Sequence, residues 1–305
     1  MLTYLILVFG LTALFLGGDM LVKGASGLAL RFGLSPMVIG LTVVGFGTSA
    51  PELLVSLNAA LGGQSGIAIG NVLGSNIANT LLILGLAAVL APIVVNFRTV
   101  RRDLGWMVAA TLVLPLVLWS GDMGRIEGLV LVAGLVVFLV ASLQNGGHIP
   151  DDITPAGSLW RSLVLTLGGL VALMVGAHYL VQSATIIARD FGVSEAMIGL
   201  SIVAIGTSLP ELATTITAVI RGQRDIAIGN VIGSNIFNIL GILGLTALVT
   251  PIPVAARFMA IDIPFLFGLT AVTVGLLWLT GRLGRITGII MLLAYAAYLF
   301  LTANL

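Results

Sequence analysis

Cysteine, histidine and charged residues are all scarce in this sequence. None of the 305 residues is cysteine, which excludes disulfides, thiolate metal sites and cysteine nucleophiles. The two histidines, His148 and His178, cannot build a polyhistidine metal site on their own, which argues against a catalytic metal enzyme. The net charge is +1 and basic runs are absent, so the sequence gives no indication of DNA or RNA binding. We expect no cofactor and no obligate protein partner.

The scarcity of charge also excludes a water-soluble domain. Only 8% of the residues are charged, against about 25% in globular proteins, and 59% are apolar. Such a chain is solvated by a lipid bilayer, in which a spanning helix takes about 20 residues. We predict an all-α integral membrane protein of about ten transmembrane helices, near 2–22, 37–61, 68–90, 104–120, 126–144, 160–183, 196–220, 227–249, 259–280 and 286–303. No basic residue precedes the first apolar run, which favours a retained span over a signal peptide.

An internal repeat with an offset of 159 residues is the strongest feature of the sequence. Residues 33–92 align with 192–251 without a gap, and 33 of the 60 positions are identical. The segment GTSAPEL at 47–53 matches GTSLPEL at 206–212, and IAIGNVLGSNIAN at 67–79 matches IAIGNVIGSNIFN at 226–238. The repeat unit is therefore predicted to be a half of five spans. We divide the chain into a first repeat, 1–144, a short polar linker, 145–158, and a second repeat, 159–305.

The odd number of spans in each half sets the orientation of the two repeats. A half that follows five spans enters the membrane from the opposite side, so the repeats are predicted to be inverted. Basic residues indicate which side is cytoplasmic. With the N-terminus outside, ten of the 13 lysines and arginines lie in inward-facing loops, and only Arg125, Arg189 and Arg257 lie outside. The linker is then cytoplasmic and both termini are extracytoplasmic.

Two carboxylates fall at membrane depth. Glu52 and Glu211 lie inside the second and seventh predicted spans, each directly after a proline. A charge at this depth costs about 2.5–3.5 kcal/mol on insertion scales and typically marks an ion or substrate pathway. A packing ion pair is the alternative. It is disfavoured because the repeated motifs contain no lysine or arginine apart from the loop at 221–224.

The residues beside each glutamate offer oxygen ligands. Pro51 and Pro210 lack an N–H and clash with the carbonyl four residues back, so each is predicted to break its helix and free backbone carbonyls. Hydroxyl side chains lie next to these carbonyls in the sequence. Oxygen ligands of this kind bind hard cations such as Ca²⁺ and Na⁺. Helices broken at matching places of two inverted repeats are typical of a transporter's binding site. The candidate ligands in these motifs are Gly47, Thr48, Ser49, Glu52, Gly206, Thr207, Ser208 and Glu211.

A polar stripe marks the span after each glutamate. Asn71, Ser75 and Asn79 recur every four residues and share one helix face, and the second repeat has the same stripe. A polar face in lipid turns toward protein, either as hydrogen-bonding scaffold or as ligand. We assign Asn79, Asn238, Ser75 and Ser234 to the ion site, and both roles stay open for Asn71, Asn76, Asn230 and Asn235.

Other polar and small residues are given structural roles. Asp19 and Lys23 are spaced as an intrahelical ion pair. His178, which matches Asp19 in the second repeat, is interpreted as an interfacial histidine. Asp103 and Asp262 are predicted to open their spans as acids at helix N-termini. Close helix packing is predicted at Gly66, Gly70, Gly74, Gly229 and Gly233.

The doubled motif GTSxPE, each copy followed by GNVxGSN, resembles the signature of the cation/Ca²⁺ exchanger superfamily, and the short linker is similar to that of its prokaryotic Na⁺/Ca²⁺ exchangers. The resemblance covers essentially the whole chain. It implies an antiporter of a prokaryotic inner membrane that exchanges Na⁺ for Ca²⁺ by alternating access, with the first and sixth helices sliding across the other eight. It implies Glu52 and Glu211 as ligands of both ions, completed by Thr48, Ser49, Thr207 and Ser208, with Asn79 and Asn238 beside them.

The motif residues also separate branches of the superfamily that the chain resembles. Asn238 stands where K⁺-dependent relatives carry Asp, which disfavours K⁺ dependence. GTSxPE stands where proton-coupled relatives typically carry a GNxxE-like motif, so the resemblance favours Na⁺ as the driving ion.

Three alternatives to Na⁺/Ca²⁺ exchange stay open at this point. They are H⁺/Ca²⁺ antiport with the same fold, an ion channel, and an intramembrane aspartyl protease built on Asp19 and Asp122, whose predicted positions are not opposed at membrane depth. Charge alone favours exchange. Two nearby carboxylates without a bound cation should keep a proton, so Ca²⁺ and Na⁺ would compete for one set of oxygens.

Overall fold

The computed structural model describes residues 2–144, 158–192 and 204–303, and helices dominate all three ranges. The helices in these ranges are labelled in chain order as α1 Leu2–Arg31, α2 Pro36–Thr48, α3 Ala50–Leu61, α4 Ser65–Leu90, α5 Phe97–Val117, α6 Arg125–Gln144, α7 Leu159–Asp190, α8 Leu209–Ile220, α9 Arg224–Val249, α10 Phe258–Thr280 and α11 Arg285–Ala303. A helical turn, Ala204–Gly206, precedes α8. Two-residue strands lie in the loops as β1 Ile93–Val94, β2 Asp122–Met123, β3 Ile252–Pro253 and β4 Arg282–Leu283.

The helices have the length and composition of membrane spans. Seven of them, α1, α4, α6, α7, α9, α10 and α11, are long and apolar enough to cross a bilayer, and the bent pair α2–α3 is an eighth by the same measure. The prediction of an all-α membrane protein is confirmed. The predicted seventh span, 196–220, falls partly outside the described residues, as do His148 and nearly all of the linker.

Several helices extend beyond the predicted spans. α1 continues past residue 22 to Arg31, and α5 begins at Phe97, where the Asn96 side chain accepts a hydrogen bond from the Arg98 N–H at 3.1 Å. Asp103 therefore lies inside α5, and the prediction that it opens this helix is wrong. Asp262 lies where the π-helical turn Phe258–Asp262 of α10 passes into the α-helix Ile263–Thr280, whose N-cap position it occupies without a side-chain cap hydrogen bond. A hydropathy pattern registers only the apolar part of a helix, whereas backbone hydrogen bonds and caps set where the helix itself begins.

α1 and α7 pack against each other along most of their lengths in antiparallel fashion. Gly10 faces Gly176 and Gly17 faces Gly169, and a Cβ added at Gly17 would lie 2.8 Å from the Leu173 backbone nitrogen. Glycine is required at such positions because two helix backbones are in direct contact there. This helix pair lies on one side of the remaining helices.

α4 and α9 form the centre of the molecule. In the most apolar stretch of each helix, 78% of the residues are buried in α4 and 89% in α9. The buried share is only 17–39% in the other five helices that are long and apolar enough to span a membrane. A Cβ added at Gly229 would lie 2.6 Å from the Met37 carbonyl oxygen, and Gly233 is equally close to α2, so the packing prediction is confirmed for both. No described atom lies within 4 Å of a Cβ added at Gly66 or Gly74, and a Cβ at Gly70 would meet only the Phe258 side chain at 3.8 Å, so the prediction of close helix packing is wrong for these three.

The second span is interrupted near the middle of the chain segment predicted for it. α2 ends at Thr48 and α3 begins at Ala50, with a bend of 43° between them. The backbone at Ser49 has φ −83° and ψ 6°, and Ser208 before α8 has φ −84° and ψ 7°. A proline stands in the first turn after each break, as predicted from its missing N–H. α4 and α9 each contain a π-helical turn, Asn79–Ile83 and Phe237–Leu243, a feature frequently found at functional sites.

Contacts between the repeats are reciprocal. β1 pairs with β4 and β2 pairs with β3; β3 follows β1 by 159 residues and β4 follows β2 by 160, so the two pairs occupy matching places of the repeats. The offset likewise converts the contact Gly10–Gly176 into Gly169–Gly17. The contact of α1 with α8 at Gly18 is not repeated, because the equivalent helices α7 and α3 are separated by a cavity.

Candidate ion-binding site

The two glutamates lie in the first turns of α3 and α8, directly after the helix breaks. Both Glu52 and Glu211 are completely buried, at 0% exposure. A helix N-terminus favours a negative charge because its backbone N–H groups and dipole point toward it. The breaks thus place an acid and the start of a helix together in the interior of the bundle.

A serine from each half binds the glutamate of the other half. Ser49 Oγ donates a hydrogen bond to Glu211 Oε1 at 2.8 Å, and Ser208 Oγ donates to Glu52 Oε1 at 3.2 Å. These residues come from the GTSxPE motifs of both repeats. The two predicted half-sites are therefore one cluster.

Several buried oxygens of this cluster have no hydrogen-bond partner among the described residues. They are Glu52 Oε2, Glu211 Oε2, Asn79 Oδ1, Asn238 Oδ1 and Thr207 Oγ1. Buried acceptors without a partner are rare in proteins, because each costs about 1–3 kcal/mol when it leaves water unpaired. Four of the five are acceptors only, which is the property of a cation ligand.

The orientation of the two deepest asparagines is fixed by neighbouring amides. Asn79 Nδ2 donates to Asn235 Oδ1 at 3.1 Å, and Asn238 Nδ2 donates to Asn76 Oδ1 at 2.9 Å. Each bond uses the amino group and leaves the Oδ1 of Asn79 or Asn238 free. Asn76 and Asn235 therefore have a scaffolding role, which the sequence left open.

Asn71 and Asn230 are scaffold as well. Asn71 Nδ2 donates to the Glu52 carbonyl oxygen at 3.0 Å and to Ser56 Oγ at 2.8 Å. In the second half, Asn230 Nδ2 donates to the Glu211 carbonyl oxygen at 3.3 Å and to Thr215 Oγ1 at 3.0 Å. Both side chains hold the first turn of the helix that carries the glutamate.

The partners of these asparagines, Ser56 and Thr215, were not among the residues predicted from the sequence. They occupy matching positions of the repeat, four residues after each glutamate, and so lie on the same helix face as it. Both are buried at 0% exposure. A hydroxyl in both repeats at this spacing was the available signal.

The remaining predicted ligands surround the cluster in less open positions. Thr48 Oγ1 donates to Asn230 Oδ1 at 3.1 Å, and Ser234 Oγ donates to the Gly45 carbonyl oxygen at 3.3 Å. Ser75 is buried one turn before Asn79. Gly47 and Gly206 lie against α7, where a Cβ would contact the side chains of Leu170 and Val181 respectively.

A cavity of about 390 Å³ lies beside the helix breaks. It lies between α3 and α7, and its walls include Pro51, His178, Gly206 and Thr207. His178 is exposed and packs edge-on against Tyr179, in keeping with the predicted interfacial role. The cavity connects the residues that flank both glutamates with the molecular surface.

No lysine or arginine neutralises the glutamates within the described part of the chain. The ion pairs there involve Asp19, Asp103 and Asp262, and none includes Glu52 or Glu211. The packing ion pair considered above is thus absent from these residues. Two buried carboxylates require a counter-charge, and the free oxygens beside them fit a hard cation.

Apolar spanning helices around a buried cluster of oxygen atoms are the features expected of a membrane transport protein. Comparison with known families agrees with this class, since the profile of the family described as "Sodium/calcium exchanger protein" matches residues 2–144 and 161–303. The chain belongs to the sodium/calcium exchanger family. It is a cation/Ca²⁺ antiporter in this broad sense and not an enzyme.

Individual relatives cover most of the chain. The inner membrane protein YrbG of Escherichia coli is 41% identical over 81% of this chain and 79% of its own length. The sodium/calcium exchanger MaX1 of Methanosarcina acetivorans is 32% identical over 97% of both chains. Among solved structures, the sodium-calcium exchanger NCX_Mj soaked with Na⁺ and Ca²⁺ superposes with a TM-score of 0.86 at 32% identity, over 97% of each chain.

The aspartyl protease alternative is wrong, because the family is one of transporters. The structure gives its two acids other roles. Asp19 accepts from Lys23 Nζ at 2.8 Å, as predicted for an intrahelical pair, and also binds Arg221. Asp122 lies in β2, where it is exposed.

Proposed function

We propose that this protein exchanges Na⁺ for Ca²⁺ across a membrane by alternating access. The observation that carries the proposal is the reciprocal cluster in which Ser49 binds Glu211 and Ser208 binds Glu52. The cluster is buried, contains unpaired oxygens and has no cationic side chain within the described residues. The chain is similar to MaX1 and NCX_Mj, both named sodium/calcium exchangers, and this similarity supports Na⁺ and Ca²⁺ as the two exchanged ions.

The proposed ligands fall into two groups. Glu52, Glu211, Asn79, Asn238 and Thr207 offer the side-chain oxygens that lack a partner and form the centre of the site. Thr48, Ser49 and Ser208 would complete the coordination through hydroxyl or carbonyl oxygens after small rearrangements of their hydrogen bonds. Gly47, Gly206, Ser75 and Ser234 stay candidates at the periphery.

The proposal includes ten membrane spans in two inverted five-helix repeats. The repeats are residues 1–144 and 159–305, and the linker is 145–158. The antiparallel packing of α1 on α7, which are equivalent helices of the two repeats, supports the inversion. Lys23, Arg161 and Arg221, predicted to lie on the cytoplasmic side, line one pocket. This grouping supports a cytoplasmic linker and extracytoplasmic termini. The relative YrbG is named an inner membrane protein, which favours the same location here.

Exchange follows from the shared ligand set. Ca²⁺ or more than one Na⁺ can neutralise the two carboxylates, and both use the same oxygens, so one ion must leave before the other binds. Coupling requires that the helices move only when the site is occupied. α7 lines the cavity beside the helix breaks, which suits the α1–α7 pair to the sliding motion that the family resemblance implies.

The test is ⁴⁵Ca²⁺ uptake into proteoliposomes loaded with Na⁺ and diluted into Na⁺-free buffer, beside a matched set with only a pH gradient. We expect uptake with the Na⁺ gradient alone, without added K⁺. Uptake driven only by the pH gradient would assign the protein to H⁺/Ca²⁺ exchange. It would contradict the inference that the GTSxPE motifs indicate Na⁺ as the driving ion. Fast, non-saturating flux without counter-ion would contradict antiport altogether.

A further inference from the structure

A basic pocket lies at the opposite end of α7 from His178, well apart from the ion site. Its volume is about 340 Å³, and it is formed by α1, α7 and the end of α8. Lys23, Arg161 and Arg221 line it. Asp19 binds two of these cations, Lys23 at 2.8 Å and Arg221, so three positive charges and one negative leave a net charge of +2.

The cations of this pocket are available to a ligand from outside. The side chains of Lys23 and Arg221 are 51% and 40% exposed although both contact Asp19. Arg161 is exposed, and it takes part in none of the ion pairs formed within the described ranges. An anion could therefore bind here without breaking a buried interaction.

The other walls of the pocket suit an amphiphile better than a small soluble anion. Ser26 and Ser162 place hydroxyls beside the cations, and Val22, Leu30 and Leu165 form an aliphatic wall. The base is closed where Gly27 contacts Ser162 so tightly that a Cβ would overlap the serine hydroxyl. Cations beside an aliphatic surface match a charged headgroup attached to an acyl chain.

The internal repeat does not reproduce these cations. The offset of 159 residues relates Lys23 to Gln182, Arg161 to Leu2 and Arg221 to Gly62, all of them uncharged. At the equivalent place α7 and α3 are separated by a cavity, so the three charges occur only where α1 packs against α8. Their presence on one side only indicates a role specific to that membrane face.

We propose that this pocket binds the phosphate headgroup of an anionic membrane lipid, with the acyl chain along Val22, Leu30 and Leu165. Basic pockets between transmembrane helices are suited to such headgroups. Because the pocket joins the α1–α7 pair to α8, bound lipid links the helix pair to the element that carries Glu211. The proposal does not depend on which ions the protein exchanges.

Native mass spectrometry of the full-length protein with added phosphatidylglycerol, or with phosphatidylcholine of the same acyl chains, tests this site. We expect retention of phosphatidylglycerol and not of phosphatidylcholine. Removal of a charge in Arg161→Gln should weaken the apparent affinity about fivefold, and the double variant with Lys23→Gln should weaken it further by a similar factor. Arg161→Lys keeps the charge and should retain most of the binding.

Arg285→Gln is the matched control, since it removes the same charge from an exposed residue outside the pocket on the same predicted face. An equal loss of affinity in Arg161→Gln and Arg285→Gln, at unchanged melting temperatures, would overturn the proposal in favour of diffuse surface charge. Inorganic phosphate provides the last arm. If it binds in neutral lipid with the same dependence on Arg161 while phosphatidylglycerol does not, the pocket belongs to a soluble anion and the lipid assignment is wrong.

Discussion

At the residue scale, the site depends on side chains whose hydrogen bonds are divided between two tasks. The amino groups of Asn79 and Asn238 are held by neighbouring amides, which leaves their carbonyl oxygens free. The glutamates follow the same rule, with one carboxylate oxygen bound by a serine and the other free. In each of these side chains one polar atom makes a hydrogen bond that fixes the orientation, and the other oxygen is available to an ion.

Neutralising either glutamate should abolish transport without unfolding the protein. Glu52→Gln or Glu211→Gln keeps the shape of the side chain but removes the charge that balances a cation. We expect ⁴⁵Ca²⁺ uptake to fall to the level of empty liposomes, while the purified variants elute as the wild type in size-exclusion chromatography. Asp225→Asn, an exposed acid at the start of α9, is the control and should transport normally. Substantial flux in either purified glutamine variant would remove the basis of the proposed site.

Scaffold and ligand asparagines should differ in how Ca²⁺ affects their stability. Asn71→Ala leaves the Glu52 carbonyl without its partner, which costs about 1–3 kcal/mol and lowers the melting temperature. It should keep the rise in melting temperature that Ca²⁺ produces by binding the folded state. Asn79→Ala removes a proposed ligand and should reduce that rise.

Asn58→Ala, on the exposed face of α3, serves as control for both variants and should resemble wild type. If Asn71→Ala loses the Ca²⁺-dependent shift while Asn79→Ala keeps it, the two roles are assigned the wrong way round.

The sequence was sufficient to identify the glutamates, the hydroxyls and the polar stripes, because identical motifs in two repeats mark positions under the same chemical demand. It did not reveal that Ser49 binds Glu211 and not the nearby Glu52. In the sequence each serine stands beside its own glutamate, and only the packing of one repeat on the other decides between them. The family resemblance placed the ions correctly at the level of class, whereas the separation of scaffold from ligand needed the hydrogen bonds.

At the scale of helices, glycines and breaks determine which backbones can approach. The breaks at Ser49 and Ser208 were predictable from Pro51 and Pro210, since proline cannot continue the preceding hydrogen-bond pattern. The length of α1 was not predictable in the same way. The hydropathy falls after residue 22, where Lys23 and later Arg31 occur, although the helix continues to Arg31. The contact of α1 with α7 also depends on tertiary structure, as glycines in a hydrophobic run do not identify their partner.

A methyl group at the α1–α7 contact should destabilise the protein. In Gly17→Ala the new Cβ would lie 2.8 Å from the Leu173 backbone nitrogen, and neither helix can yield without losing contacts along the pair. We expect a loss of about 1–3 kcal/mol, as for overpacked cores, measured as a lower melting temperature in detergent. Gly105→Ala is the matched control, because no described atom lies within 4 Å of its Cβ and alanine favours the helix. Equal stability of the two variants would show that α1 and α7 are not tightly packed in solution.

At the scale of the whole molecule, reciprocity is the main feature. The glycine contacts of α1 with α7 and the serine–glutamate bonds each occur twice with an offset of 159 residues, and the strand pairs recur with offsets of 159 and 160 residues. Reciprocal contacts of this kind place equivalent loops at opposite ends of the molecule. The basic pocket breaks the pattern, since its cations occur at one end only, and this asymmetry is consistent with two membrane faces of different composition.

The reciprocal strands lead to a prediction about membrane sidedness. β1 pairs with β4 and β2 with β3, so the loops fall into two groups that should lie on opposite faces of the membrane. The natural absence of cysteine allows single cysteines to be introduced without other changes. Exposed positions are available in both groups, Val94 and Arg282 in one and Asp122 and Ala255 in the other.

In intact cells, a membrane-impermeant maleimide should label Asp122→Cys and Ala255→Cys, because the basic loops favour a cytoplasmic location for the other group. Val94→Cys and Arg282→Cys should react only after the membrane is permeabilised. Labelling of the opposite pair would reverse the orientation but keep the inverted repeats. If the two cysteines of one pair were labelled from opposite sides of the membrane, the strand pairing and with it the ten-span topology would be contradicted. Strands joined by backbone hydrogen bonds must lie on the same membrane face.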